Sequence, residues 1–99
     1  MTAPALWLEY ARDPVSANRR FRDRPIVISG TVRAAGRDFD GRVVVRFGTD
    51  DPFETVNAKL ATRDDRLLGG LAKGRPLSLG CVGRGALIGA PLLDDCSVL

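Results

Sequence analysis

The stretch from Arg24 to Arg33, RPIVISGTVR, constrains the fold more than any other part of the chain. Its β-branched residues alternate with a period of two, which predicts a strand with one packed face. Gly30 interrupts the run at a point where a side chain would obstruct, and a glycine inside a strong strand marks a bulge or a tight bend. A long first strand that must bend indicates a small closed barrel.

The length of the chain fits one domain over residues 1–99, with a helical segment over 1–23 and a barrel over 24–98. No apolar run approaches the ~20 residues of a membrane span. The first residues lack the charged and apolar regions of a secretory signal. We therefore expect a cytoplasmic protein with no membrane partner.

The chain has two cysteines, Cys81 and Cys96, and no histidine. Without histidine or a CxxC pair, a zinc site and the usual general bases are not expected. We therefore expect neither an enzyme nor a cofactor. A tight turn near residues 83–85 would pair Cys81 with a residue early in the last segment, so the two thiols are expected to stay unbridged.

The charge is mildly basic and unevenly distributed. Thirteen of the fifteen basic residues are arginine, and the formal net charge is +3. A cluster of four arginines lies at the end of the N-terminal segment, at Arg19, Arg20, Arg22 and Arg24. The cluster is interpreted either as a phosphate-facing patch or as a solvated helix face.

Capping residues predict two short N-terminal helices. Thr2 is suited to cap the first helix, with Pro4 tolerated in its first turn. Asp13 ends that helix and caps a second one, which has Pro14 at its first position.

The middle of the chain predicts two further strands. Asp40-Gly41 is a hairpin signal that joins the first strand to a second over 42–47, and after a loop a third strand is predicted over 55–60. The acids of the intervening loop lack the spacing of a calcium site.

A helix and two further strands complete the prediction. The helix is expected over 63–72, with Thr62 as its cap, and Asp64 and Asp65 near its positive end. A fourth strand is expected over 75–82, a turn over 83–85, and a final strand within 86–98 that is interrupted at Pro91.

Three strands, a helix and two strands form the element order of an OB-fold, a five-stranded Greek-key barrel. This is a mainly β, α+β architecture. An SH3-like barrel lacks a helix in this position, and a ferredoxin-like domain needs one after the first strand. Strand alternation and the helix stripe predict the following core: Ile26, Ile28, Val32, Val43, Val45, Phe47, Val56, Ala58, Leu60, Leu67, Leu71 and Leu77.

Short motifs along the chain also resemble a known family. They are Tyr10, Asp13, Ala17 and Phe21 followed by Val27-x-Ser29-Gly30-x-Val32, then Lys73-Gly74-x-Pro76-x-Ser78-x-Gly80-Cys81-x-Gly83, and finally Leu92 or Leu93 with Asp95-Cys96. The combination, over about residues 8–98, resembles the tRNA_anti-like OB-fold family of small bacterial proteins, many of them exported or lipid-anchored. The resemblance implies nucleic-acid binding. The chain departs from the family pattern in having no export signal, and in having Asn57 where a cysteine of the third strand is expected.

Two functions are compatible with these features. The first is non-catalytic binding of single-stranded DNA or RNA on the outward face of strands two and three, where cations follow phosphates and aromatics stack on bases. The second is a protein-interaction module, such as a subunit or a phage- or plasmid-encoded inhibitor of a host nucleoprotein complex. The candidate site residues for nucleic acid are Arg42, Val44, Arg46, Thr55, Asn57 and Lys59, with Phe39 and Phe53 in or beside the flanking loops.

Overall fold

The computed structural model of the chain describes residues 1–63 and 65–99. In this part of the chain, two helices precede a β-barrel that is interrupted by one 3-10 helix. The helices are α1 (Ala3–Arg12) and α2 (Pro14–Phe21), the 3-10 helix is Asp65–Gly70, and the strands are β1 (Pro25–Arg37), β2 (Val43–Gly48), β3 (Thr55–Leu60), β4 (Pro76–Leu87) and β5 (Ala90–Val98).

The five strands close into a barrel in the order β1-β2-β3-β5-β4. Strands β3 and β5 are parallel, and the other neighbours are antiparallel. The first part of β1 pairs with β4 and its second part pairs with β2, so one curved strand takes part in both sides of the closure. The architecture confirms the predicted OB-fold.

The bend of β1 follows from Gly30 and from a bulge after it. A Cβ atom on Gly30 would lie 2.9 Å from Cδ1 of Phe47 and 3.1 Å from Cβ of Ala3, so the position excludes a side chain, as predicted. The pairing register with β2 then shifts between Val32 and Ala34. The bulge leaves Arg33 outside the regular ladder, and bulges of this kind sharpen the local twist.

The barrel interior contains the residues that alternation predicted on β2 and β3. Val43, Val45, Phe47, Val56 and Ala58 are fully buried. Ile26, Leu67 and Leu77 pack against the core but are only partly buried. The predicted register of both strands is therefore confirmed.

The N-terminal helices contribute to the same core, which strand alternation alone did not predict. The Thr2 hydroxyl accepts a hydrogen bond from Ala5 N at 3.3 Å, and an Asp13 carboxylate oxygen accepts one from Ser16 N at 3.1 Å, as the capping pattern predicted. Helix α1 buries Leu6 and Tyr10 against the strands, and α2 buries Ala17.

The predicted helix over 63–72 is a shorter 3-10 helix, Asp65–Gly70. Gly69 and Gly70 lower helix propensity in its last turn, which favours a short segment over a regular α-helix. Leu71, just beyond it, is buried in the core. The position predicted for Asp64, near the positive end of this helix, falls on a residue outside the described ones.

The β4–β5 hairpin corrects the prediction of two free thiols. The strands pair from Leu79 with Val98 to Leu87 with Ala90, and the chain turns at Ile88-Gly89 rather than at residues 83–85. This later turn brings Cys81 opposite Cys96, with a Cα–Cα distance of 4.1 Å, and the two form a disulfide. Pro91 lies inside β5, paired with Ala86, rather than interrupting the last strand.

Candidate nucleic-acid interface

The outward face of β2 and β3 carries the predicted site residues in two adjacent rows. Val44 lies opposite Lys59, and Arg46 lies opposite Asn57. Gly48 lies opposite Thr55. Because the intervening residues point into the barrel, these side chains share its outer surface.

This face forms the floor of a groove with a volume of about 360 Å³. Phe39, Val44, Arg46, Asn57 and Lys59 line it, as the sequence predicted. The groove is completed by side chains that sequence reasoning did not include, namely Asp38, Arg84, Leu92, Leu93 and Asp94.

Phe39 is a solvent-exposed aromatic side chain at the groove rim. It lies in the loop between β1 and β2, and its side chain is fully exposed, at 101%. The Lys59 ammonium lies 5.8 Å from the centre of its ring, within the range of a cation–π contact. An exposed ring beside a groove offers a stacking surface for a planar ligand.

Lys59 is neutralised by two carboxylates of the loop that carries Phe39. Its Nζ lies 2.8 Å from Oδ2 of Asp38 and 3.0 Å from Oδ2 of Asp40. Hydrogen bonds from Lys59 and from backbone amides lower the pKa of both carboxyls, that of Asp40 to about 2. The same carboxylates raise the pKa of Lys59, so all three groups stay charged at neutral pH.

Arg42 is also held by acids of its own chain. Its Nη2 lies 3.2 Å from Oδ1 of Asp94 on β5, and its Nε lies 3.4 Å from Oδ2 of Asp40. The buried Nε makes no hydrogen bond in this geometry. Arg42 does not line the groove but braces the loop at its edge.

Arg46 differs from the other two cations. It is exposed in the groove, and residues 1–63 and 65–99 give its guanidinium no ion-pair or hydrogen-bond partner. The three outward cations therefore lie where they were predicted, but two of them, Arg42 and Lys59, are already paired with carboxylates. Arg84, the other guanidinium in the groove, pairs with Asp23 at 3.3 Å. Among the described residues that line the groove, Arg46 alone therefore offers a guanidinium that needs no internal pair to be broken before it meets a phosphate.

The remaining candidates lie beside the groove rather than in it. Thr55 donates a hydrogen bond from Oγ1 to Oδ1 of Asn57 at 2.9 Å, which orients the amide. Phe53 is 92% exposed on the β2–β3 loop but does not line the groove.

The loop that carries Phe53 is fixed by the guanidinium of Arg33, the residue at the β1 bulge. Arg33 donates to the carbonyl oxygens of Glu54 at 2.6 Å and Pro52 at 3.3 Å, and also to those of Thr49 and Asp51 at 3.3 Å. Phe53 is thus exposed on a braced loop and does not line the groove.

The groove acids are the main functional feature that the sequence prediction missed. Asp38 and Asp40 were visible as acids near a hairpin, and Asx-type hydrogen bonds, such as Arg42 N to Oδ1 of Asp40 at 3.1 Å, are a signal of such turns. Asp94 reaches the site because β5 runs parallel to β3, and no local pattern shows that pairing.

The described residues contain no group of three or more histidine, cysteine, aspartate or glutamate side chains suited to a metal ion. The groove does supply groups suited to non-covalent contacts. It combines one accessible guanidinium, one amide, an apolar floor and an exposed aromatic ring.

The fold is a small OB-type barrel with a groove on the outward face of β2 and β3. A model of the tRNA_anti-like family matches residues 1–97, and the chain belongs to this family. No curated protein matches the sequence.

The fold is also similar to a solved structure from Klebsiella pneumoniae subsp. pneumoniae, that of a protein provisionally named a nucleic acid-binding lipoprotein. The TM-score is 0.77 at 11% sequence identity, and the similarity covers 100% of this chain and 91% of that one. This likeness establishes the shared fold.

Proposed function

We propose that this chain is a non-catalytic binding protein that takes single-stranded nucleic acid across the β2–β3 groove. The observation that carries the proposal is the exposed, unpaired guanidinium of Arg46 in a groove whose rim bears the exposed ring of Phe39. Family membership and the name of the Klebsiella protein support the same class of ligand.

Each group has a distinct role in this proposal. Arg46 pairs with a phosphate, and Phe39 stacks on a base. Stacking of this kind tolerates any sequence, because every base has a π face. Val44 and Leu92 give an apolar floor on which a sugar or a second base packs. Asn57, oriented by Thr55, supplies hydrogen bonds to a base edge.

The paired cations limit how strongly the groove attracts a phosphate chain. If Arg42, Arg46 and Lys59 all met phosphates, the log–log dependence of affinity on salt would have a slope of roughly −2, at ~0.7 per contact. Since two of them are already neutralised, we expect a slope near −0.7. The groove therefore holds a short segment of a strand rather than a long track.

The test is a salt titration of binding to short single-stranded DNA and RNA, followed by fluorescence anisotropy. Arg46→Ala should weaken all sequences alike and bring the slope close to zero. Arg20→Ala is the control, because Arg20 lies outside the groove and pairs with Glu9 at 3.0 Å. An unchanged slope in Arg46→Ala would show that the phosphates bind elsewhere.

Protein binding through the same face is the second candidate function, as a subunit or as a phage- or plasmid-encoded inhibitor of a nucleoprotein complex. The mixture of Asp38, Asp94 and Lys59 around the apolar Val44 favours it, because paired charges around an apolar centre are typical of protein interfaces. No binding to either nucleic acid at ~50 mM salt, where phosphate contacts are strong, would favour this alternative. A partner complex that is insensitive to salt but lost in Val44→Asp would establish it.

Absence of catalysis and a cytoplasmic location stay predictions. No helix in the described part of the chain is long and apolar enough to cross a membrane. The disulfide weighs against the cytoplasm, since such bonds persist mainly in oxidising compartments.

A further inference from the structure

The tip of the β4–β5 hairpin is an exposed aliphatic projection. Leu87 is 63% exposed and Ile88 is 93% exposed, at the point where the two strands join. The sequence between Arg84 and Asp94 contains no charged residue. An exposed apolar tip of this kind lowers solubility unless something covers it.

The backbone conformation at the tip is also energetically unfavourable. Ile88 has φ 50° and Gly89 has φ 80°, so both central residues of the turn lie in the left-handed region. Two-residue hairpins with this geometry favour Asn-Gly, and a β-branched residue at positive φ is strained. Folding alone would be better served by asparagine at position 88. The isoleucine thus combines a strained backbone with an exposed side chain, and neither helps the isolated fold.

A basic strip lies against the base of this hairpin. Asp23 N donates to Gly83 O at 2.9 Å and Gly83 N donates to Arg24 O at 3.0 Å, so residues 22–24 are bound to β4. A Cβ on Gly85 would lie 4.0 Å from Cδ of Arg22. The strip consists of Arg22, Arg24 and Arg84.

The charges of the strip are only partly compensated. Asp23 pairs with Arg84 at 3.3 Å. Arg22 and Arg24 are exposed and have no ion-pair partner among residues 1–63 and 65–99. The strip therefore keeps an excess of positive charge beside the aliphatic tip.

We propose that the tip and the strip together dock on the surface of an anionic lipid bilayer. Leu87 and Ile88 enter the boundary between headgroups and acyl chains, while the arginines bind lipid phosphates. A bilayer of this kind is complementary to the surface in both hydrophobicity and charge. Aliphatic side chains cannot stack on bases as nucleic acid requires, whereas the boundary between acyl chains and anionic headgroups matches both the aliphatic tip and the arginines.

The proposal does not rest on the function proposed for the groove, although Arg84 of the strip also lines the groove. The expectation of no membrane partner rested on the lack of a long apolar run, and a tip that enters only the interface needs none.

The test is co-sedimentation of the full chain with vesicles of phosphatidylcholine, with and without phosphatidylserine. We expect binding only to the anionic vesicles, and weaker binding at higher salt. Ile88→Asn should lower the partition coefficient by about tenfold or more, the effect of withdrawing one aliphatic side chain from the bilayer. Val15→Asn is the matched control, because Val15 is 63% exposed on α2 and lies outside the tip.

Two further measurements keep the result interpretable. Ile88→Asn should unfold at the same or a higher temperature than the parent, because asparagine is better suited to the turn. Arg22→Gln with Arg24→Gln should remove the preference for phosphatidylserine. No binding to anionic vesicles, or equal loss in Ile88→Asn and Val15→Asn, would overturn the proposal. If the variant with Arg22→Gln and Arg24→Gln lost nucleic-acid binding but still bound anionic vesicles, the strip would be assigned to nucleic acid instead.

Discussion

The groove and the basic strip meet at Arg84, which lines the groove, but the cations of the two surfaces differ in what surrounds them. In the groove region, Lys59 is held by Asp38 and Asp40, and Arg42 is held by Asp40 and Asp94. In the strip, a single acid pairs with one of the arginines. A count of cations per surface therefore gives a poor measure of the positive potential that a ligand meets.

The difference arises from the connectivity of the barrel. The groove lies where the β1–β2 loop and β5 meet the β2–β3 face, and both bring acids to it. In the strip, Arg22 and Arg24 lie on a segment bound to β4, which carries Arg84, and the acid that pairs with Arg84 is Asp23 of that same segment. The groove thus fixes its side chains by internal pairing, which favours selective binding over general attraction to anions.

The largest effect is expected from a substitution that breaks the junction holding the strip. A Cβ on Gly83 would lie 2.1 Å from the backbone oxygen of Phe21, so Gly83→Ala must force α2 and β4 apart. We expect a loss of about 3 kcal/mol or more in the free energy of unfolding, measured by urea denaturation.

Gly36→Ala provides the control for this loss, since a Cβ on Gly36 meets no atom within 4 Å. It should change stability by no more than about 0.5 kcal/mol. Similar losses in the two variants would mean that the close contact of Gly83 with Phe21 does not hold the junction.

Loss of the disulfide should have the next largest effect. The bond joins β4, to which the segment with Arg22 and Arg24 is bound, to β5, which carries Asp94. Cys81 and Cys96 are separated by 15 residues, and closing a loop of this size stabilises a fold by about 3 kcal/mol. Reduction should lower the free energy of unfolding by about that amount. Thiol titration of the unfolded, unreduced protein should find no free thiol, and a count of two would contradict the bond.

Acid should distinguish the groove from the strip with a smaller effect. The pKa of Asp40 is lowered to about 2 and that of Asp38 is lowered as well, so their contribution is complete above the ordinary aspartate pKa near 4 and is lost as the pH falls through the folded-state values. The parent should therefore lose more stability than Asp40→Asn between pH ~4 and pH ~2. Parallel stability curves for the two proteins over this range would show that the pairs contribute nothing.

Much of the fold could be predicted from the sequence because it depends on local patterns. Alternation in β2 and β3 determined which residues are buried, and the caps at Thr2 and Asp13 determined where the helices begin. The position of the last hairpin turn could not be predicted in this way. Glycines at 83, 85 and 89 all offered turns, and the turn actually lies at Ile88-Gly89, where the sequence pattern is unfavourable.

The positions of the site residues could be predicted from the sequence, but their ion pairing could not. The outward row of Val44, Arg46 and Lys59 follows from the period of the strands. Lys59 is neutralised by Asp38 and Asp40 of the β1–β2 loop. The neighbouring Arg42 is paired with Asp94, which reaches the site through the parallel pairing of β5 with β3, far apart in sequence.

The most direct test of the account is the effect of Asp40→Asn on binding of single-stranded DNA over a salt series. Asparagine keeps an acceptor for the amide of Arg42 but withdraws a charge from Lys59 and Arg42. The account predicts tighter binding and a slope that steepens by less than ~0.7, because the groove loses one negative charge while Lys59 keeps Asp38 and Arg42 keeps Asp94 as partners. Asp50→Asn, an equal change of charge at an exposed position of the β2–β3 loop, should have a much smaller effect. Equal effects of the two substitutions, or weaker binding in Asp40→Asn, would contradict the claim that the groove restrains its own cations.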